Sequence, residues 1–432
     1  MSGERRYMRL DNAAKIYPAA ARRNWRALFR VSAQLSEPVD RAVLEKAQAR
    51  TLARFPGFAL RLRRGLFWYY LEHLDGAPPI CEDAANPCVR LDPEKNGGFM
   101  FRVRCYRCRI ALEVYHVLAD GTGGMCFLKT LVAEYLTLKY GVTIPRDAEI
   151  LDCDEAPKPD ETEDAYLKYA GTVARSRSED DSYRIRGTDT GELVNIITGM
   201  LDVNAVLARA RSLGVTLTEY LTAALILSVN GIQMREGQPP RRRHPVKINV
   251  PINLRRFYPT HTMRNFAIYV NPGIDARLGD YSFAEILKAV HHQMGAEIDE
   301  KQLNARIAAN VNAEKNRFLR AAPLFVKNLA MRLTFERVGD RKTSSSLSNL
   351  GAVRVPPEME RYVERFDFIL GPLSRNRVVC AALSYKGTLY LNFTRTIRET
   401  DTERGFFRFL VRDGLHVRIE SNALPHRGRD AE

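Results

Sequence analysis

No window of the 432-residue sequence approaches the ~20 unbroken apolar residues of a membrane-spanning helix. The opening MSGERRYMRLDNAAKIYP lacks the apolar stretch of a secretory signal. Together these absences set the expectation of a soluble, cytoplasmic chain without integral membrane contact. Cysteine is sparse and odd in number: Cys81, Cys88, Cys105, Cys108, Cys126, Cys153 and Cys380. Such a scattered set is expected to be reduced thiols. Cys105 and Cys108 form a C-x-x-C, but no second pair and no paired histidines accompany it. The pair also falls where a β-turn is expected, so neither a metal nor a redox role is assigned. Zinc-finger spacing, RNA-binding aromatic motifs and basic-zipper heptads are missing, which argues against a nucleic-acid partner. No internal repeat is visible.

What is present is a 45% apolar composition, enough for sizeable cores, and a net charge of +15. The charge is uneven. Residues 1–64 hold 15 basic and 5 acidic residues, and a second basic stretch runs from Arg235 to Arg256. Residues 147–164 carry nine acids and only Lys158. A basic surface suits a phosphate-bearing small molecule or an acidic protein, and it equally describes a solvated face.

Patterning divides the chain into a first lobe at 1–151, a charged linker at 152–190 with the composition of an exposed segment, a second lobe at 191–422 and a polar tail at 423–432. In the first lobe ALFRVSAQL reads as a strand. Asp40 is placed to cap the helix RAVLEKAQARTLARF, which must stop before Pro56. FALRLRRGLFWYYLE predicts a hairpin turning at Arg64–Gly65, and FMFRVRCYRCRIALEVYH a second one. Its outgoing strand alternates Ile110, Leu112, Val114 and His116 on one face. A helix follows, with Gly141 at its C-terminal cap. In the second lobe Asp202 and Thr218 are the expected caps of two helices. VKINVPI, NFAIYV, SSSLSNLG, RFDFILG, VVCAALSY and TLYLNFTR read as strands. Two or three helices are expected between Ser282 and about Glu336, and one at TERGFFRFLVRDG. The expected fold class is α+β, in two lobes, each with its own mixed sheet and flanking helices.

The chemistry concentrates in YHVLADGTGG, residues 115–124. An imidazole is the natural general base for a hydroxyl or amine near neutral pH. A strand end holds His116 in place, and a Gly-rich loop leaves it accessible. Asp120 is close enough to brace that loop by a salt bridge or backbone hydrogen bonds, and Gly121, Gly123 and Gly124 permit a tight turn.

This stretch resembles the H-H-x-x-x-D-G motif of the chloramphenicol acetyltransferase and condensation-domain superfamily. The similarity is greatest to its alcohol acetyltransferase-like and polyketide-associated branch. RLDNAAKIYP, VPINLRRFYP, SNLG and LSYKGTLYLNFTR also look like that superfamily, so the resemblance spans roughly the whole chain. Tyr115 stands where the longer motif has its first histidine, and the D-F-G-W-G signature of the plant branch is absent. The resemblance implies two lobes with an active-site channel between them. It implies His116 as catalytic base and Asp120 as a structural aspartate paired with an arginine of the other lobe. Arg255 is the first candidate for that arginine and Arg256 the second. Gly121 would leave room at the channel. Asn349 is either an oxyanion or carrier contact or a turn residue before Gly351. Asn265, Tyr269 and Ser344 to Ser346 are further candidate lining residues. The implied reaction moves an acyl group, acetyl in the first instance, from acyl-CoA to an alcohol or amine. Acyl-CoA is then a co-substrate, with no tightly bound cofactor and no metal. The alternative is a condensation-domain-like or non-catalytic relative that acts on or binds a carrier-protein thioester.

Overall fold

The computed structural model describes residues 7–20, 27–174, 179–191, 193–315, 321–334, 341–373 and 375–422. The tail 423–432 expected from the sequence lies outside them. Local signals act where the chemistry requires. Asp40 accepts from the N–H groups of Ala42 and Val43 and starts the helix Arg41–Arg54. Gly141 ends the helix Gly121–Tyr140 in the left-handed conformation, φ 67°. The hairpin Leu60–Arg64/Tyr69–His73 turns over Gly65 to Trp68, where the Gly65 N–H meets the Trp68 carbonyl, so Leu66 and Phe67 form its tip. Cys105 and Cys108 flank the turn at Arg107 in the second hairpin.

A five-stranded sheet organises the first lobe, in the order Val363–Leu370, Leu28–Leu35, Arg109–Tyr115, Phe101–Tyr106, Cys81–Glu82. The helices Arg41–Arg54 and Gly121–Tyr140 pack together, and the latter also packs on the sheet. An eight-stranded sheet organises the second lobe. Its main path runs Ala267–Val270, Val246–Asn253, Ser345–Ala352, Val378–Tyr385, Thr388–Arg395, Asn195–Asp202, Arg418–Ser421, and Gly273–Ile274 pairs with Val246–Asn253. The helices Leu217–Arg235, Phe283–Glu297 and Asp401–Arg412 contribute to its core. A small three-stranded sheet joins Tyr7–Arg9 to the first hairpin. No single helix among the described residues is long and apolar enough to cross a membrane.

The structure corrects three expectations. The strand RFDFILG does not stay with the second lobe. It runs antiparallel to Leu28–Leu35 and buries Phe366 and Phe368 in the first core. The sheets are thus not separated by sequence position. Thr218 is not a cap. The cap lies two residues earlier, where Thr216 and Glu219 form a reciprocal capping box. Thr218 is thereby freed to face the lobe interface. The charged linker is not simply exposed: Glu161 forms a buried pair with Arg54, and Ala165, Tyr166, Tyr183 and Ile185 enter hydrophobic cores.

Candidate active site

His116 is the first residue past the strand Arg109–Tyr115, and its N–H still donates to the Ala27 carbonyl at 2.9 Å. The imidazole lies between two rings. Tyr17 stacks on it at 5.1 Å and 19°, and Phe29 tilts against it at 4.8 Å and 55°. Asn265 fixes the orientation. Its Nδ2 donates to the His116 carbonyl (2.9 Å) and to Asp11 Oδ2 (3.1 Å), so its Oδ1 faces the imidazole Nδ1 at 3.4 Å. An amide oxygen only accepts, so this network places the ring proton on Nδ1 and the lone pair on Nε2. Burial pushes the imidazole below its ordinary value, and the bond to Asn265 and the charge of Asp120 oppose that push only in part. The ring is therefore neutral near pH 7 and competent to accept a proton.

Asp120 does not touch the imidazole in any hydrogen bond of the structure. Its Oδ1 caps the motif helix by accepting from the Gly123 N–H at 3.1 Å. Its Oδ2 accepts from Arg255 Nη1 at 2.8 Å and from the Phe266 N–H at 2.9 Å. Arg255 also donates from Nε to the Thr262 carbonyl (3.0 Å) and from Nη2 to the Arg264 carbonyl (2.6 Å). The two side chains are only 11% and 13% exposed, so one ion pair between the lobes ties a helix start, a strand start and a loop together. Arg256 takes no part in this pair; it is exposed and lines the rim of the adjoining cavity.

That cavity, of about 670 Å³, runs between the lobes and has His116, Tyr17 and Gly121 on one side and Asn253, Tyr269 and Asn349 on the other. Its size is typical of a small-molecule site, commonly about 300–1,000 Å³. At Gly121 a Cβ would come 2.8 Å from Leu350 Cδ2, the end of a side chain that would have to shift into the cavity region. At Gly123 a Cβ would fall inside the radius of the Met263 carbonyl oxygen.

Asn349 lines the cavity, but its amide is engaged: Nδ2 donates to Thr218 Oγ1 at 3.1 Å and Oδ1 accepts from the Gly351 N–H at 2.8 Å. Gly351 has φ +82°, and Asn349 stands at an irregularity of the strand Ser345–Ala352 rather than in a turn, with one of its two Nδ2 hydrogens given to Thr218. Of the three serines, Ser346 lines the cavity and bonds to the Asn249 carbonyl. Ser344 and Ser345 are buried away from the cavity lining, and Ser345 is held by the Val378 carbonyl.

Sequence reasoning missed Tyr17, Asp11 and Tyr166. Asp11 is fully buried, its carboxyl raised by burial against the charge of Arg264, and it anchors Asn265. Its signal was the segment RLDNAAKIYP, which carries both Asp11 and Tyr17. Tyr166 reaches the cavity from the linker.

No family model and no curated protein match this chain by sequence. Solved structures do match it. Polyketide synthase associated protein 5 from Mycobacterium tuberculosis is 17% identical with a TM-score of 0.62, over 93% of this chain and 96% of that one. The starter condensation domain of rhizomide synthetase, in complex with C8-CoA and Leu-SNAC, is 14% identical with a TM-score of 0.59, over 94% of both chains. Trichothecene 15-O-acetyltransferase from Fusarium sporotrichioides is 11% identical with a TM-score of 0.56, over 94% of both chains. The chain therefore has the two-lobed α+β fold of condensation domains and chloramphenicol acetyltransferase-like acyltransferases. Its mixed sheets and helices match that class across nearly its whole length.

Proposed function

We propose that this protein is an acyltransferase that moves an acyl group from a thioester, acyl-CoA in the first instance, to an alcohol or amine. The observation that carries the reading is the placement of the His116 imidazole at a strand end, where burial favours its neutral form. The ring is oriented by Asn265, and it stands in the wall of a cavity shared by both lobes. Nε2 takes the proton of the acceptor hydroxyl or amine, and the nucleophile attacks the thioester carbonyl. The resulting oxyanion collapses, the C–S bond breaks, and the imidazolium returns the proton to the departing thiolate. The step needs neither an acyl-enzyme nor a redox partner. Asp120 and Arg255 hold the lobes and the motif loop in register and transfer no proton. Arg256 at the cavity rim is suited to an anionic part of the donor. The volume of the cavity does not confine the acyl group to acetyl.

The fold supports this reading, because structures of the same architecture include an acetyltransferase and domains solved with C8-CoA. A second reading has support too: condensation domains and a polyketide synthase associated protein share the fold, and a carrier-bound thioester would use the same base. Incubation with acyl-CoAs and with acylated carrier protein, each against a panel of alcohols and amines, separates the two by mass of the product. Product from acyl-CoA supports the first reading, product only from the carrier supports the second, and product from neither refutes both.

A further inference from the structure

Sixteen large apolar side chains stand exposed among the described residues, and six of them fall on two adjoining elements. Leu66 (75% exposed) and Phe67 form the tip of the first hairpin. Phe325, Val326, Leu329 and Leu333 lie on the helix Leu324–Thr334. Positions 325, 329 and 333 recur at intervals of four, so they make a continuous stripe on the outward face. The opposite face of that helix holds the hairpin. The Leu324 N–H donates to the Leu66 carbonyl at 2.9 Å, and Asn328 Nδ2 donates to Tyr69 Oη at 3.0 Å. Lys327 donates to the Phe67 carbonyl at 3.0 Å and sits 3.5 Å over the Trp68 ring. Tip and helix are thus one latched surface. Exposed apolar clusters of this kind mark interaction sites.

Charge identifies the partner. The hairpin carries Arg61, Arg63 and Arg64 against one acid, Glu72, which holds Arg61 and Arg63 beside the surface. The helix carries the exposed Arg332 and no acid, while its Lys327 is buried beneath the hairpin and takes no part in the rim. The patch is a hairpin turn beside a helix face, with Leu66, Phe325 and Leu329 more than half exposed. Large apolar residues projecting from a basic rim suit insertion into the headgroup boundary of an anionic bilayer. We propose that this face docks the protein on an anionic lipid surface. It is a peripheral contact and spans nothing.

The docking face is close to the cavity. The helix Leu324–Thr334 packs on the short helix Ile16–Ala20, whose Tyr17 stacks on His116. Resting on the acyltransfer reading, a docked enzyme would draw an apolar acceptor or acyl chain from the bilayer into that side of the cavity. Docking itself needs no turnover and is tested without it.

The test is sedimentation of the full chain with phosphatidylglycerol vesicles and with phosphatidylcholine vesicles. The expected result is binding to the anionic vesicles, weakened by salt. In Phe325→Ser/Leu329→Ser and in Leu66→Ser/Phe67→Ser, partitioning should fall on the order of tenfold or more. All four side chains are exposed, so the variants should melt like the parent, and a melting curve checks that. Equal binding by parent and variants would assign the effect to net charge alone and overturn the proposal. So would no preference for anionic vesicles. A parent that self-associates through this face, with monomeric variants and no vesicle binding, would make it a protein interface and also overturn it.

Discussion

Removing the Arg255–Asp120 pair tests whether the lobes are held together as the geometry indicates. In Asp120→Asn the cap to Gly123 survives through Oδ1, but Oδ2 becomes an NH₂ group facing two donors, Arg255 Nη1 and the Phe266 N–H. A largely buried guanidinium is left unpaired. Stranding one charge of such a pair costs about 3–5 kcal/mol, against at most ~1 kcal/mol for a solvated pair. Arg255→Ala strands the carboxylate instead and also releases the carbonyls of Thr262 and Arg264. It should therefore cost at least as much as Asp120→Asn. The double variant leaves no stranded charge, so the two losses should fall short of additive by about 1–3 kcal/mol. Urea unfolding of the four proteins, with turnover on the same samples, reads all of this. Stability and activity should decline together. Two additive losses below ~1 kcal/mol each would show a solvated pair and refute the clamp.

Three further outcomes follow from the site. The buried, depressed imidazole predicts that kcat/KM for an alcohol acceptor rises with pH on a limb centred below the ~6.5 of a free histidine. The unfolded chain binds that proton more readily than the native one, so His116 also makes native stability fall as pH drops through ~6.5. A pH–rate limb centred above that value would contradict the assignment. Gly123→Ala should prevent folding, because its Cβ meets the backbone oxygen of Met263, whereas Gly121→Ala need only displace Leu350 and should fold with altered activity. Soluble expression and circular dichroism distinguish them, and a well-folded Gly123→Ala would count against the packing. Asn265→Ala should lower kcat more than it raises KM, because it unfixes the imidazole rather than a substrate, and a change confined to KM would contradict that role.

Features that depend on neighbours in sequence were legible in advance. Asp40 and Gly141 bound their helices because capping is decided within four residues. The strand–loop–helix around His116 was equally local, as was the turn at Cys105 to Cys108. Thr216 was misjudged for Thr218 because both precede the same apolar run, and only the reach of Glu219 to the cap decides between them. Longer-range arrangements were not legible. The strand Val363–Leu370 alternates as any half-buried strand does, and nothing local says that it pairs with Leu28–Leu35. The chain from Asp11 through Asn265 to His116 joins residues 254 and 149 positions apart. The family resemblance pointed to the Asp120–Arg255 contact, but the spacing of residues alone could not choose Arg255 over Arg256. Asn349 does line the cavity, but its bonds to Thr218 and Gly351, which set its orientation, come from a distant helix and a strand irregularity that the sequence does not show.

Everything proposed for the site turns on His116 acting as the base of an acyl transfer. The direct measurement is release of thiol from acyl-CoA in the presence of an accepted alcohol or amine, comparing the parent with His116→Ala and recording the melting curve of each. The variant should fold like the parent and lose about 10²–10⁴-fold in turnover, the usual contribution of a general base. A folded His116→Ala protein that transfers acyl groups at the parent's rate would contradict it.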